Sequence, residues 1–290
     1  MAKKAAVLDT DFTIKTASTK NLKDVSLADI VLKLPYIFYC HEQNKKELTD
    51  HDKVTTNWLE NNIAAKIISC ISDLQIVQII KDSYKVSQNA AVKFYSDWLK
   101  QACDVFTAAF YETYYVELES LKIKSEIITD EEFMLAVQTG DSKIGHDNNL
   151  GEIKDTILAM TLTQCLQMEC INFCSDDKKA RRSLLSFSVN ESFPIKSISY
   201  LGFYWVAKQK NLLTKESEED FLCGWKKICK SSETNVTIKE HIHRKHPDYP
   251  KRNIDVLFAA IWNDEVVMME DGYLVYKTEL SEQQMQETGK

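Results

Sequence analysis

The chain has 290 residues, 44% hydrophobic and 27% charged, and its 43 acidic side chains outnumber 36 basic ones for a formal net charge of −7. That balance excludes a protein that coats nucleic acid through bulk positive charge, though it leaves room for a local basic groove. No apolar run approaches the ~18 residues of a membrane span, and "MAKKAAVLDT" lacks the apolar stretch of a secretion signal, so a soluble cytoplasmic protein with no membrane partner is expected.

Only 7 glycines and 4 prolines are present, which favours helices over flexible linkers. Of the eight cysteines, Cys70, Cys103, Cys165 and Cys170 lie inside apolar patterns and read as small buried hydrophobes. In chain order, the apolar run Ala5–Leu8 stops at "DTD" and predicts a first strand ending at Asp9. Leu22, Val25, Leu27, Ile30, Val31 and Leu34 lie close to helical spacing and predict a helix over Asn21–Leu34, broken by Pro35. "YIFYC" (Tyr36–Cys40) is dense in strand formers, and "HEQNKKEL" (His41–Leu48) starts a helix.

Leu59, Ile63, Ile67 and Ile71 recur at every fourth residue, with Ile68, Leu74, Ile76 and Ile79 widening the stripe. They predict one long helix, and the run from Val92 through Tyr95, Leu99, Cys103, Phe106, Phe110 and Tyr114 to Leu118 predicts its partner. Thr129–Glu132, "TDEE", has the spacing of a capping box opening a helix through Val137, and Thr139–Asn149 reads as a loop. From Leu150 an amphipathic helix is expected, with Ile157, Leu158, Leu162, Cys165 and Leu166 inward. The strand "INFC" follows, ending in the adjacent acids Asp176 and Asp177. A further strand, two helices and a hairpin turning at Asp271–Gly272 complete the reading.

Strands alternating with helices suggest a parallel sheet, and in open sheets of this kind ligands bind outside the carboxyl ends of the strands. Acids follow three of these strands: Asp9, then Glu42 and Glu47, then Asp176 and Asp177. Glu152 and Asp155 share a helix face at i, i+3 and would join them. At ~4 Å and an effective dielectric of ~20, each pair of carboxylates repels by about 4 kcal/mol. Such a cluster therefore keeps protons or holds a divalent cation, and an oxygen cage suits Mg²⁺ or Mn²⁺ rather than zinc.

Each acid also has a structural reading. Asp9 can cap a turn with Thr10, and Glu42 and Glu47 can be solvated helix residues. Asn149 with Glu152 matches a capping box, and Asp176 or Asp177 can N-cap the helix through Ala180 to Leu185. Cys223, Cys229, His241, His243 and His246 are of metal-ligating types, but their spacing is not that of a zinc finger. With Arg244, Lys245, Lys251 and Arg252 they read as a basic surface cluster able to touch phosphates. No Walker A loop, GxGxxG, HExxH or GxSxG occurs.

"VLDTDF" (Val7–Phe12), "FYCHEQNKKEL" (Phe38–Leu48) and "LGEIKDTILAMTLTQC" followed by "FCSDDKKARR" together resemble the PIN-domain nucleases. The Gly-Glu helix start and the "DD..AR" strand end are similar to a PIN-like subgroup, as is "FPIKSISYLGFYWVAKQKNLLT" after them. The resemblance covers about Ala5–Leu48 and Asn149–Leu213, with the order of elements kept. It implies an α/β fold with a PIN-like parallel sheet flanked by helices over residues 1–230, a mainly helical insertion at about 50–148, and a small extension over 231–290.

By that resemblance Asp9, Glu47, Glu152, Asp155, Asp176 and Asp177 are the catalytic candidates. Asp9, Glu47, Asp155 and Asp177 would hold Mg²⁺ or Mn²⁺, and Lys178, Lys179, Arg181 and Arg182 would contact phosphates. The implied activity is metal-dependent hydrolysis of RNA, in a role such as a bacterial toxin or phage-defence effector. A DNA endonuclease and a non-catalytic PIN-like scaffold are the alternatives. The insertion would serve as a substrate clamp, a homodimer interface or a docking surface for a regulatory protein.

Overall fold

The computed structural model describes residues 3–106, 110–144, 149–191, 194–228, 235–236 and 252–280. Its centre is a five-stranded parallel sheet of β1 (Lys4–Leu8), β2 (Ile37–His41), β3 (Ile68–Ile71), β4 (Cys170–Cys174) and β5 (Ile195–Ile198). The strand order is β3-β2-β1-β4-β5. β1 aligns with β2 through Ala5 opposite Ile37 to Val7 opposite Tyr39, and β2 with β3 through Phe38 opposite Ile68 to His41 opposite Ile71. The chain thus builds β1, β2 and β3 toward one edge and β4 and β5 toward the other. The reversal falls between β1 and β4, the position where open α/β sheets leave a ligand crevice.

Parallel strands need crossovers, and helices supply all of them. α1 (Thr10–Ser18) and α2 (Leu27–Val31) follow β1; α3 (Glu42–His51) and α4 (Lys53–Ala64) follow β2. After β3 come α5 (Asp73–Tyr84), α6 (Gln88–Phe106), α7 (Phe110–Tyr114), α8 (Val116–Leu121), α9 (Asp130–Ile144) and α10 (Leu150–Gln164). α11 (Lys178–Glu191) links β4 to β5, and α12 (Tyr200–Gln209) and α13 (Glu216–Ile228) come next. The remaining described elements are β6 (Asn235–Val236), β7 (Arg252–Asn253), α14 (Ile254–Trp262), β8 (Val266–Met268) and β9 (Leu274–Tyr276).

The isoleucine stripe is the largest departure from the periodicity. It is not one helix. α4 ends at Ala64, Lys66 takes a left-handed φ of 59°, and Ile68–Ile71 pairs with β2 as the edge strand of the sheet. Ser72 then opens α5 with a capping box, accepting from the Gln75 N–H while the Gln75 side chain returns to Ser72 N–H. Part of the expected insertion is therefore sheet. Its helices α5 to α9 share one apolar core with β1, β2, α10 and α11, built on Ile76, Tyr95, Leu99, Phe133, Ile157 and Phe173.

Four other expectations change. The helix over Asn21–Leu34 shrinks to α2, because the Asn21 side chain accepts from the Lys23 and Val25 N–H groups and holds a turn, and Ser26 caps the short helix that remains. The run from Val92 to Leu118 is divided among α6, α7 and α8. α9 continues through Ile144, so Thr139–Ile144 are helical and not a loop. α10 is not amphipathic: from Ile153 to Leu162 every residue is buried, because α5 and α6 cover one side and β1, β2 and α3 the other.

By contact density the chain divides into two compact units. The first comprises Met1–Thr10, Tyr36–Phe173 and Asp177–Ile195, and the second Asp11–Pro35, Cys174–Asp176 and Lys196–Lys290. Within the second, Phe12 packs on Phe203 with ring centroids 5.3 Å apart, Tyr204 on Phe258 at 4.5 Å, and the Trp262 indole donates to the Tyr204 hydroxyl. The expected hairpin is formed by β8 and β9. At its turn Gly272 has φ 92° and lies so close to Ser197 that a Cβ would stand 2.5 Å from the Ser197 carbonyl. Among the described residues no helix is long and apolar enough to cross a membrane.

Candidate functional site

Asp9 is the first residue after β1, and it is buried. One of its carboxylate oxygens accepts the Thr10 N–H at 2.7 Å, which starts α1. The Thr10 hydroxyl donates to Glu47 Oε2 at 2.8 Å, and the Gln43 amide donates to Glu47 Oε1 at 3.1 Å. Glu47 and Gln43 are one turn apart on α3, which begins directly at the carboxyl end of β2. The sheet edge therefore sets Asp9 and Glu47 together, with Thr10 between them.

Asn44 ties this edge to α10. Its amide nitrogen donates to the Leu8 carbonyl at 2.8 Å and to both oxygens of Asp155, at 2.8 and 3.0 Å. That pattern fixes the amide orientation, since reversing it would set oxygen against carboxylate. The other end of the amide, Asn44 Oδ1, is buried without a hydrogen-bond partner. It faces Gly151, where a Cβ would lie 3.2 Å from Asn44 Oδ1 and 2.9 Å from Glu47 Oε2. A side chain at position 151 would occupy the place where these oxygens meet α10.

Asp155 is fully buried. Burial first, and then the Asp9 carboxylate, push its pKa well above the ordinary carboxylate range; the Asn44 amide opposes this, and Glu152 and Glu47 add to it. Asp155 thus feels the charges of Asp9, Glu152 and Glu47. Glu152 is not tied into a capping box with Asn149, whose side chain makes no cap hydrogen bond and whose φ is 61°.

Asp176 and Asp177 answer to other partners. Asp177 Oδ1 accepts the Ala180 N–H at 2.8 Å and caps α11. Asp176 accepts the Tyr200 N–H at 2.7 Å and pairs with Lys15 at 3.3 Å, all within the second unit. Of the basic run after them, Lys179 and Arg182 are exposed, but Arg181 is 7% exposed. Arg181 is therefore not part of a solvated basic face, because its position on α11 turns it inward with Ala180 and Leu184. The Lys178 side chain, and Cys229, His241, His243, Arg244, Lys245, His246 and Lys251, lie outside the described residues.

A second polar group was not anticipated from the sequence. Lys154, the neighbour of Asp155 on α10, is fully buried and contacts Asp73 of α5 and Asp141 of α9, each at 3.0 Å. The Tyr95 hydroxyl donates to Asp73, and the Tyr115 hydroxyl donates to Asp141 at 2.6 Å. His41 Nε2 lies 3.3 Å from Asp73, while His41 Nδ1 accepts the Gln43 N–H. Burial opposes the ionised form of Asp73, but Lys154 foremost among its partners holds the carboxyl far below its ordinary range. Burial likewise opposes charge on Lys154, and Asp141 and Asp73 outweigh it, raising the pKa of its ammonium group. The available signal was a Lys-Asp pair inside an otherwise apolar helix, since such charges stay buried only when paired.

Among the described residues no three His, Cys, Asp or Glu side chains are arranged to hold a metal ion by themselves. The oxygen-only donor set, with the unpartnered Asn44 Oδ1 beside Glu47, nevertheless fits Mg²⁺ or Mn²⁺. Mg²⁺ commonly takes only one or two protein carboxylates and keeps several waters. No protein-family model, curated protein or solved structure matches the chain.

Proposed function

We propose that Asp9, Glu47, Asp155 and Asn44 bind Mg²⁺ or Mn²⁺ and that the chain hydrolyses phosphodiester bonds, with RNA the favoured substrate and a PIN-like nuclease the type of enzyme. The observation that carries this reading is the buried meeting of Asp9 and Asp155 at the carboxyl end of β1, with an amide oxygen left unpartnered beside them. When bound, the cation supplies an activated water and neutralises charge on the phosphate. The protein's own task is placement. Asn44 holds the Asp155 carboxylate against the end of β1, Thr10 and Gln43 hold both oxygens of Glu47, and Gly151 keeps the space in front of them open.

Lys179 and Arg182, exposed on α11, are the phosphate contacts in this reading. Labelled RNA and DNA of the same sequence, incubated with the chain in Mn²⁺, Mg²⁺ or chelator, test it. Metal-dependent cleavage of RNA that Asp9→Asn abolishes is the expected result. Preferential cleavage of DNA would correct the substrate, cleavage that persists in chelator would overturn the metal site, and absent cleavage would replace the nuclease with a binding scaffold.

A further inference from the structure

Cys40 and Cys70 stand directly opposite each other on the parallel strands β2 and β3. Residues in register on neighbouring strands point to the same face, and strands lie ~4.8 Å apart, inside the ~4.4–6.8 Å Cα separation a disulfide spans. Both cysteines are thiols in this structure. β3 is the edge strand, so Cys70 is half-buried with access to solvent, while Cys40 is buried behind it. We propose that Cys70 and Cys40 form a peroxide-oxidisable dithiol, with Cys70 the attacking sulfur and Cys40 the resolving one.

The surroundings divide the roles. The facing Cys40 thiol is the first cause that lowers the Cys70 pKa, assisted by Lys45 and Lys46 and opposed by burial and Glu42. Cys70 in turn, then burial, raises that of Cys40, to which Asp155 adds and which Lys45 opposes. Lys45 itself is paired with Glu60 at 3.0 Å, so it stands beside the dithiol as a held charge. A low-pKa, accessible thiol next to a second cysteine is the arrangement that oxidises reversibly.

The reaction closes with hydrogen peroxide as the oxidant. The Cys70 thiolate attacks one peroxide oxygen, the O–O bond breaks, and the leaving hydroxide takes a proton to become water. Cys70 is then a sulfenic acid. The Cys40 sulfur attacks the Cys70 sulfur, the S–O bond breaks, and the hydroxyl leaves as water with the Cys40 proton. Two thiols and one peroxide give one disulfide and two waters; sulfur is oxidised and peroxide oxygen is reduced. Elsewhere burial raises the pKa of the competing thiols, Cys103 to about 12 and Cys165 in the same direction.

The inference goes beyond the proposed nuclease and does not require it. The test treats the full chain with hydrogen peroxide, alkylates the remaining thiols under denaturing conditions, and maps the peptides by mass. The expected product in the wild-type chain is an intramolecular Cys40–Cys70 cross-link that dithiothreitol reverses, and no variant has to fold for this result. Cys40→Ser should leave a sulfenic acid on Cys70 that dimedone traps. Cys70→Ser should slow the loss of the Cys40 thiol by about ten-fold or more. A map in which Cys40 and Cys70 both remain alkylatable, or in which Cys70 pairs with another cysteine, overturns the proposal.

Discussion

Asp9 and Asp155 oppose each other in a buried place, and their substitution separates two kinds of acid. Asp9→Asn keeps the oxygen that accepts Thr10 N–H while removing a charge that raises the Asp155 pKa. An acid whose folded pKa is raised favours folding below the unfolded value, ~3.9, and loses that advantage as pH climbs through the folded value. Metal-free Asp9→Asn should therefore be as stable as wild type or more so at neutral pH, with the difference closing in acid; urea midpoints measured across pH check this. In Mn²⁺ its cleavage of RNA should fall by about a hundred-fold or more, since the water loses its activation. Normal cleavage by a destabilised variant would leave Asp9 as a cap only. Gly151→Ala gives the complementary result. The added methyl would stand 2.9 Å from Glu47 Oε2 and 3.2 Å from Asn44 Oδ1, so Glu47 must leave its held position and Mn²⁺ affinity and cleavage should drop. Unchanged Mn²⁺ binding, read by calorimetry, would remove Glu47 from the site.

At the scale of elements, α10 carries opposite polar tasks on adjacent residues. Asp155 faces Asn44 of α3, and Lys154 reaches α5, α6 and α9 through Asp73, Tyr95 and Asp141. Lys154→Met should cost about 3–5 kcal/mol, because buried Asp73 and half-buried Asp141 lose their shared counter-charge. Adding Asp73→Asn to Lys154→Met should recover part of that loss, and chemical denaturation of the single and double variants measures the coupling. Additive losses would mean that the pair is not coupled. β3 teaches a different lesson about elements. Its four residues continued an i+4 stripe into a strand, and the stripe masked a boundary that Ser72 and Gln75 had marked with capping-box spacing. Periodicity could not separate a helix ending at Ala64 from one reaching Ile79, because isoleucine serves both a helix face and a sheet edge. Amide exchange distinguishes them: once β3 is paired to β2, the amides it donates should be slow, together with those of α5 and α6.

For the whole molecule, the two buried carboxyls shifted in opposite directions predict the pH profile. Asp73 is held below its ordinary range, so its contribution is present above the unfolded value and disappears as pH falls through the acid range. Asp155 is raised, so its contribution grows as pH falls toward ~3.9. Metal-free protein should be most stable at mildly acidic pH, losing stability on both sides. Thermal melts should show Asp9→Asn flattening the neutral side and Asp73→Asn flattening the acid side; a profile identical in all three proteins would contradict the assignment.

Local pattern was enough to read the alternation of strand and helix, the strands at Ala5–Leu8, Tyr36–Cys40 and Ile171–Cys174, and the acids that follow them. Those features are local: β-branched and aromatic runs, a proline, and carboxylates at strand ends need no distant partner to be read. The expectation that acids after these strands share one edge rests on the same local reading, because a parallel sheet brings the residues after its strands to one edge. It took the folded chain to show that Asp177 caps a helix, that Asp176 is held by Lys15 and the Tyr200 N–H, and that Arg181 turns inward. Tertiary packing also decided that α10 is buried all round and that Lys154 has Asp73 and Asp141 as partners, 81 residues before it in one case. Burial and pairing over such distances depend on what the rest of the chain places opposite a residue, and no local pattern carries that information.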